Sequence, residues 1–295
     1  MQLNKMNNFT QNYQKILRTL RQVETKMNFL NQIRKPKLSD IELIAIDLTS
    51  EYMSIDSEYQ LFRMLPSCLS SKIERSVYNR RKRKLFNHRE LIRKKMVSLI
   101  SSNDNYIVDS MPLEVCKLSR SSRSKICKEE YETTPNKGYC ASQASAYYGY
   151  KLHAVCTVEG VFTDFDLTQA SVHDIHYLRD IRQMYRDCTV LGDKGYLSID
   201  YQRDLFSSNK IKLEVPMRRN QKDYKPKDYI FQKSRKRIET LFSQLCDQFM
   251  IRRNYAKTFD GFKNRILSKI MALTVIQLIN KLNNRNINNL KIAIA

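Results

Sequence analysis

The hydrophobic pattern changes its period near residue 101, and this change constrains the fold more than any other feature of the chain. Before it, apolar residues recur every three or four positions, the spacing of amphipathic helices. After the polar segment Ser101-Ser102-Asn103-Asp104, apolar residues alternate or form short runs, which is typical of β-strands. We therefore predict an all-α region over residues 1–100, an α/β domain over residues 101–283 and a C-terminal tail over residues 284–295.

The all-α region contains helical segments that end in a strongly basic one. Ser39 precedes Glu42 by three residues, which is the capping-box pattern at a helix start. The last basic segment contains the run Arg80-Arg81-Lys82-Arg83-Lys84. A helix, a short helix and a basic helix resemble a helix-turn-helix, whose last helix enters the major groove of DNA. No glycine marks the turn that a helix-turn-helix requires. The alternative for the basic run is a surface that only contacts solvent.

The charge balance points to a polyanionic partner. The chain carries 52 Lys and Arg residues against 30 Asp and Glu residues, a formal net charge of +22. A chain this basic is expected to bind nucleic acid. No apolar run approaches the roughly 20 residues that span a membrane, and the first residues lack the apolar middle of a signal peptide, so neither feature is expected. No glycine-rich nucleotide-binding motif is present, so the use of ATP is not expected. The seven cysteines form no C-x-x-C pair and are expected to be reduced thiols.

The first strand-like run of the α/β domain leads directly to an acid, Asp109. Ile107 and Val108 are expected to form a short buried strand that ends at Asp109, because Met111 and Pro112 follow. The carboxylate would then be held at the rim of the core. Residues 111–146 are predicted to be a loop-rich insertion.

Two further acids come from far along the chain. Asp193 follows the buried strand 188–191, and Glu239 lies on a helix that starts near Gln232. The order strand, hairpin, helix, strand, helix, strand, helix matches a ribonuclease-H-like α/β layout with a mixed five-stranded sheet. In that layout the first strand lies beside the fourth, so Asp109 and Asp193 would lie at neighbouring strand ends. Glu239 borders the packed stripe of its helix and would face the sheet.

Three carboxylates brought together favour a metal site. Two unit charges ~4 Å apart repel by roughly 4 kcal/mol at an effective dielectric constant near 20, and a divalent cation relieves this repulsion. Mg²⁺ prefers oxygen ligands, and two ions ~3.5–4 Å apart can activate an attacking oxygen and stabilise a leaving oxygen at a phosphodiester. Each acid alone could instead belong to a turn or a surface. Asp164 and Asp166 are alternatives for the second acid, and Asp247 is an alternative for the third.

The chain resembles the DDE transposases of bacterial insertion sequences, most closely those of the insertion sequence 982 family. Short segments spread over nearly the whole chain carry the resemblance. They are Leu38-Ser39-Asp40, Ser76 to Leu85, Val108-Asp109-Ser110-x-Pro112 with Val115-Cys116, Gly149-Tyr150-Lys151-Leu152-His153, Gly192-Asp193-Lys194-Gly195-Tyr196 and Arg237-Ile238-Glu239-x-x-Phe242-Ser243.

The resemblance implies that Asp109, Asp193 and Glu239 are the catalytic, metal-binding triad. It implies two Mg²⁺ ions, replaceable by Mn²⁺, and cleavage at the terminal inverted repeats of an insertion sequence, followed by joining of the 3′-hydroxyl ends to target DNA. A homodimer on double-stranded DNA in the bacterial cytoplasm, at the nucleoid, is expected. In a related group a Tyr and an Arg precede the last acid and a Lys follows it. Here Arg235 matches the Arg, whereas Gln232 and Cys246 replace the other two.

DNA contacts are expected from basic residues in both regions. On its strand His153 shares a face with Lys151, and this face lies either toward the substrate or toward solvent. The candidates are Arg80, Arg81, Lys82, Arg83, Lys84, Lys151, His153, Lys194, Arg218, Arg219, Arg235 and Arg237. Two other functions remain open. One is a non-mobile nuclease of the same fold, and the other is a DNA-binding repressor derived from a transposase.

Overall fold

The computed structural model describes residues 2–217, 224–226 and 229–291, and these divide into two compact units. The helical unit consists of Met1–Ile100, Gln244–Ala256 and Asp260–Ala295, and the sheet unit consists of Ser101–Ser243 and Lys257–Phe259. The change of period near residue 101 coincides with a unit boundary. The region 101–283, which the sequence pattern suggests as one domain, is divided, because most of the chain after Ser243 packs with the N-terminal helices.

Ten α-helices occur in the described part of the chain. They are α1 (Gln2–Val23), α2 (Asp40–Tyr52), α3 (Glu58–Met64), α4 (Ser67–Ser70), α5 (Arg75–Lys84), α6 (Phe86–Ile100), α7 (Leu178–Met184), α8 (Ile199–Asn209), α9 (Tyr229–Asp247) and α10 (Phe259–Leu282). The predicted capping box at the start of α2 is confirmed. Ser39 Oγ accepts from the N–H of Glu42, and the Glu42 carboxylate accepts from the N–H of Ser39. None of the described helices has the length and apolar character needed to cross a membrane.

The helical unit buries charged residues as well as apolar ones. The Asp47 carboxylate on α2 accepts from Lys82 at 2.5 Å and from Arg89 at 2.8 Å, and the hydroxyl of Ser268 on α10 donates to it at 2.8 Å. Burial by itself would raise the pKa of Asp47, but Lys82 and Arg89 hold it at about 2. The core of this unit therefore depends on ion pairs between segments far apart in the chain.

The sheet unit is built on a mixed six-stranded sheet. Its strands are β1 (Asn105–Cys116), β2 (Asn136–Cys140), β3 (Ser145–Thr157), β4 (Phe162–Gln169), β5 (Thr189–Leu191) and β6 (Lys212–Glu214). The order is β2-β3-β1-β5-β6, with β4 also paired to β3. β1–β5 and β5–β6 are parallel, and the pairs that involve β3 are antiparallel. The predicted number of five strands is wrong. The additional strand is β2, which lies within residues 111–146, where the sequence predicted a loop-rich insertion.

The first strand is longer than the sequence pattern suggests. β1 continues through Asp109 and Pro112, and Pro112 pairs with Lys151 of β3. β5 pairs with β1 only as far as Ile107, so beyond that residue the described part of the sheet leaves the other edge of β1 open. A proline, which has no N–H to donate, is tolerated at such an edge. Asp109 therefore lies within the strand and not at its end, which corrects the expected position.

Candidate active site

The parallel pairing of β1 with β5 brings two of the predicted acids together. The register aligns Asn105 with Thr189 and Ile107 with Leu191. Continued by two residues, the same register places Asp109 opposite Asp193. The two carboxyl groups interact: burial and, to a smaller extent, the charge of Asp193 raise the pKa of Asp109 to about 7, although the hydrogen bond from Ser110 lowers it. The predicted adjacency of the two acid-bearing segments is thus present in the structure.

Each of these two carboxylates is oriented by a backbone N–H group. The N–H of Ser110 donates to Asp109 Oδ1 at 2.8 Å, and the N–H of Gly195 donates to Asp193 Oδ1 at 2.7 Å. Asp193 caps the short 3₁₀ turn Lys194–Tyr196. Among the described residues, neither Oδ2 atom has a hydrogen-bond partner, so each acid keeps one oxygen for another ligand. Carboxylate oxygens are the ligands that Mg²⁺ prefers, and a cation would stabilise the ionised form of the buried Asp109 and relieve its repulsion with Asp193.

The third predicted acid is placed differently. Glu239 lies on α9 with a side chain that is 58% exposed, and its Oε1 is 3.9 Å from Arg235 Nη2 one turn earlier. The charge of Arg235 also acts on Asp109 and lowers its pKa. In the described part of the chain, no three Asp, Glu, His or Cys side chains are grouped closely enough to hold one metal ion. The structure thus brings Asp109 and Asp193 together, whereas Glu239 is exposed on α9 and contacts Arg235, whose charge acts on Asp109.

An acid that the sequence patterns did not single out lies beside the pair. Asp174 Oδ1 accepts from Ser110 Oγ at 2.9 Å and pairs with Lys151 Nζ at 2.9 Å. A methyl group on Gly195 would lie 2.9 Å from Asp193 Oδ1 and 3.7 Å from Asp174 Oδ2, so both carboxylates border the space at Gly195. Asp174 starts a 3₁₀ turn after β4 and has no strand pattern of its own. Its position between two histidines was the only local signal.

His153 lies inside the sheet unit, whereas Lys151 is partly buried. The His153 ring is fully buried, its Nε2 lies 2.8 Å from Thr168 Oγ1 and it stacks on Tyr177. Burial lowers the pKa of His153 to about 4, so the ring is neutral at pH 7. Lys151 Nζ donates to the carbonyl of Val172 at 2.8 Å as well as pairing with Asp174. The assignment of His153 as a DNA contact is therefore corrected, because packing removes it from solvent.

The basic run of α5 is divided between the interior and the surface. Arg81 and Lys82 are buried and pair with Asp40 and Asp47, each at 2.5 Å. Buried carboxylates need cationic partners, so these two side chains are structural, which corrects their assignment as DNA contacts. The other candidates fall into three groups: Arg80, Arg83, Lys84 and Lys194 are exposed, Arg235 and Arg237 are partly buried, and Arg218 and Arg219 lie outside the described residues.

A mixed α/β unit with two oriented acids, one on β1 and the other just after the adjacent strand β5, defines an enzyme-like domain with an acidic centre. Residues 101–275, more than half of the 295-residue chain, match the family model described as the transposase DDE domain. The chain belongs to this family. Transposase DDE domains use divalent metal ions, for which the free oxygens of Asp109 and Asp193 are suitable ligands. No curated protein matches the chain in sequence.

Proposed function

We propose that this chain is the DNA transposase of a bacterial insertion sequence, of the insertion sequence 982 type. It cuts at the terminal inverted repeats and joins the freed 3′-hydroxyl ends to target DNA. The observation that supports the proposal is the β1–β5 register, whose continuation by two residues aligns Asp109 with Asp193, in a chain of the DDE family. The strand order around β1, with antiparallel strands on one side and parallel strands on the other, supports a ribonuclease-H-like fold.

In this proposal, Asp109 and Asp193 hold the metal with the carboxylate oxygens that the backbone leaves free. Two bound Mg²⁺ ions, or Mn²⁺ in their place, would supply Lewis-acid chemistry for phosphoryl transfer. The N–H groups of Ser110 and Gly195 keep both carboxylates oriented and reduce the cost of ordering them at the moment of reaction.

Glu239 is proposed as the third acid of the centre. It lies one helical turn from Arg235, and the charge of Arg235 acts on Asp109, which supports a position of this part of α9 near Asp109. Exposure of the Glu239 carboxylate leaves it free to exchange its long contact with Arg235, at 3.9 Å, for a metal ion.

DNA is proposed to bind as double strands, with the protein acting as a homodimer. The net charge of +22 supports strong, salt-dependent attraction to phosphates. In the helical unit, which is proposed to recognise the element ends in helix-turn-helix fashion, Arg80, Arg83 and Lys84 present exposed charges on α5. Near the acids, Lys194, Arg235 and Arg237 are proposed to hold phosphates, together with Arg218 and Arg219.

The test is cleavage of DNA by the purified full chain. The substrates are a duplex carrying the inverted repeats that flank the coding sequence and a scrambled duplex of the same composition, both with Mg²⁺. We expect cutting at the repeat ends, and a loss of about 10²-fold or more in Asp193→Asn and Glu239→Gln. The exposed Asp200 on α8 provides the control Asp200→Asn, which should cut normally.

Normal cleavage by Asp193→Asn or Glu239→Gln would contradict the assignment of the triad. Equal cutting of both duplexes would indicate a non-mobile nuclease, and tight binding of the repeats without metal-dependent cutting would indicate a repressor.

A further inference from the structure

Asp174 is held by two independent hydrogen-bond donors next to the acid pair. Ser110 Oγ and Lys151 Nζ both lie 2.9 Å from the same oxygen, Oδ1. Ser110 is also the residue whose N–H orients Asp109, so one serine fixes two acids, through its backbone and through its side chain. Lys151 is itself anchored by the carbonyl of Val172 at 2.8 Å. The rotamer of Asp174 is therefore restrained from both sides.

The second oxygen of Asp174 lies on the side of Gly195 and Asp193. A methyl group on Gly195 would be 3.7 Å from Asp174 Oδ2 and 2.9 Å from Asp193 Oδ1. In the described part of the chain, Asp174 Oδ2 has no hydrogen-bond partner. Three aspartates, Asp109, Asp193 and Asp174, thus share one arrangement, in which one oxygen is fixed by a protein donor and the other is left for a ligand.

A buried polar atom beside Asp174 gives an independent indication of a polar ligand. His153 is fully buried, and its Nδ1 lacks a hydrogen-bond partner at 3.9 Å from Asp174 Oδ1, too far for a hydrogen bond. The hydroxyl of Tyr196 is also buried without a partner among the described residues. Burial raises the pKa of Tyr196 well above its usual value, and the charges of Asp174, Asp109 and Asp193 add to this effect. Buried polar atoms are normally hydrogen-bonded, so the unpartnered Nδ1 of His153 next to Asp174 indicates a hydrated site.

We propose that Asp174 is a positioning residue of the divalent-metal site that Asp109 and Asp193 form, and that its Oδ2 accepts a hydrogen bond from the hydration shell of the cation. This inference rests on the proposed function of that site. A direct contact is not required, because Mg²⁺ keeps several of its waters in protein sites. The described residues offer no cluster of three ligands for one ion, which agrees with an outer-shell position. Lys151 offsets the charge of Asp174 and leaves it as a hydrogen-bond acceptor.

The alternative is that Asp174 only anchors Lys151 and the turn after β4. Metal binding and folding distinguish the two roles. The variant Asp174→Asn keeps the size of the side chain but replaces an accepting oxygen with an NH₂ group. Ser110→Ala keeps the Asp174 charge and removes only the hydroxyl that orients it. The matched control is Asp200→Asn, on the exposed face of α8.

The experiment titrates the purified full chain with Mn²⁺ in the absence of DNA. Affinity is followed by calorimetry, the Mn²⁺ environment by electron paramagnetic resonance, and folding by thermal melting without metal. Removing an outer-shell partner costs about 10–100-fold in metal affinity, and we expect a loss in this range for Asp174→Asn. Ser110→Ala should show a smaller loss in the same direction, and Asp200→Asn should bind Mn²⁺ as the unchanged protein does.

An unchanged Mn²⁺ affinity in Asp174→Asn, with or without a change in melting temperature, overturns the inference. If Asp174→Asn does not fold, Ser110→Ala decides, since an unchanged affinity in that variant overturns it and a weakened affinity supports it. The unchanged protein separates this result from the proposed function. Saturable Mn²⁺ binding that depends on Asp174, without cutting of repeat DNA, rejects only the transposase proposal. Failure of the unchanged protein to bind Mn²⁺ at all rejects both.

Discussion

The N–H of Gly195 donates to Asp193 Oδ1 at 2.7 Å, and a Cβ atom on this residue would lie 2.9 Å from the same oxygen. A Cβ at this distance would be closer than real Cβ contacts allow. The backbone N–H can hold the acid only because this residue has no side chain. Glycine is therefore required here by the close approach of the carboxylate.

The variant Gly195→Ala should damage the site with little effect on the fold. The nearest atom is the end of a flexible side chain, so the Asp193 carboxylate can rotate away at low cost. We expect Mn²⁺ affinity and DNA cleavage to fall by about tenfold or more, with a melting temperature close to that of the unchanged protein. Calorimetry and a cleavage assay measure the first effect, and thermal melting measures the second.

Gly149→Ala is the contrasting glycine variant. A Cβ at Gly149 would be 2.1 Å from the carbonyl oxygen of Leu113, a backbone atom of the paired strand β1 that cannot rotate away. We expect this variant to unfold the sheet unit or to yield insoluble protein. Equal stability of both glycine variants would contradict this explanation.

Asp109 should destabilise the protein increasingly as the pH rises. Its pKa is raised to about 7 in the folded state, chiefly by burial, against ~3.9 in an unfolded chain. A raised pKa means that the native protein holds its proton longer. Below about pH 4 the carboxyl group is protonated in both states, and Asp109 does not lower the free energy of unfolding. This stability is lost as the pH rises to about 7, because the unfolded chain ionises while the folded protein keeps the proton. Without metal, Asp109→Asn should therefore be more stable than the unchanged protein at pH 8, by on the order of a few kcal/mol.

Urea unfolding at pH 5 and pH 8, in the presence of a chelator, measures this difference. We expect the advantage of Asp109→Asn to grow between these two pH values and to disappear when Mn²⁺ is added, because the cation stabilises the ionised carboxylate. An advantage that is the same at both pH values would argue against a raised pKa. Asp200→Asn is the control for the general effect of losing one acid.

The Asp47 network should behave in the opposite way. Its pKa is held at about 2 by Lys82 and Arg89 despite burial, so its contribution is present above about pH 4 and is lost as the pH falls toward 2. Asp47→Asn leaves two buried cations without their partner, and we expect a loss of about 3–5 kcal/mol at pH 7. Chemical denaturation measures this loss.

A matched ion pair on the surface provides the control for Asp47. Arg182 Nη1 lies 2.8 Å from Asp204 Oδ2, the same separation as between Arg89 and Asp47, but both side chains are about half exposed. Asp204→Asn should cost at most about 1 kcal/mol because solvent screens the pair. Similar losses in the two variants would show that burial does not set the strength of the Asp47 pairs.

Exposed and buried basic residues of α5 should have different effects: the exposed ones should bind DNA, and the buried one should stabilise the fold. Replacing the exposed Arg80 and Lys84 by alanine should weaken DNA binding and reduce the slope of log affinity against log salt by about two, one for each phosphate contact. Arg81→Ala should instead lower the melting temperature, since Arg81 pairs with the buried Asp40. Fluorescence anisotropy across a salt series, together with thermal melting, separates the two effects. An unchanged salt slope in the double variant would remove α5 from the DNA interface.

The sequence pattern predicted the structural elements that are determined by residues close together in the chain. The capping box of Ser39 and Glu42, the strand before Asp193 and the hairpin of β3 with β4 all depend on neighbouring residues, and the structure contains them. The pairing of the two acid-bearing segments followed from the order of elements.

What the sequence could not show depends on contacts between distant residues. Pro112 stays in β1 because β5 is too short to reach it, which no local pattern indicates. The burial of Lys82 depends on Asp47, and the importance of Asp174 depends on Lys151 and Ser110. Without these partners from distant parts of the chain, Lys82 and Asp174 would be expected at the surface.

The helical unit is discontinuous in sequence, and this has a consequence for synthesis on the ribosome. Asp47 and Glu51 emerge early, whereas their partners Ser268 and Lys269 are made more than two hundred residues later. Until then, the nascent helices carry acids without their full set of partners. The sheet unit, whose residues nearly all lie between these two segments, can thus be translated in full while the other unit still waits for its last helix.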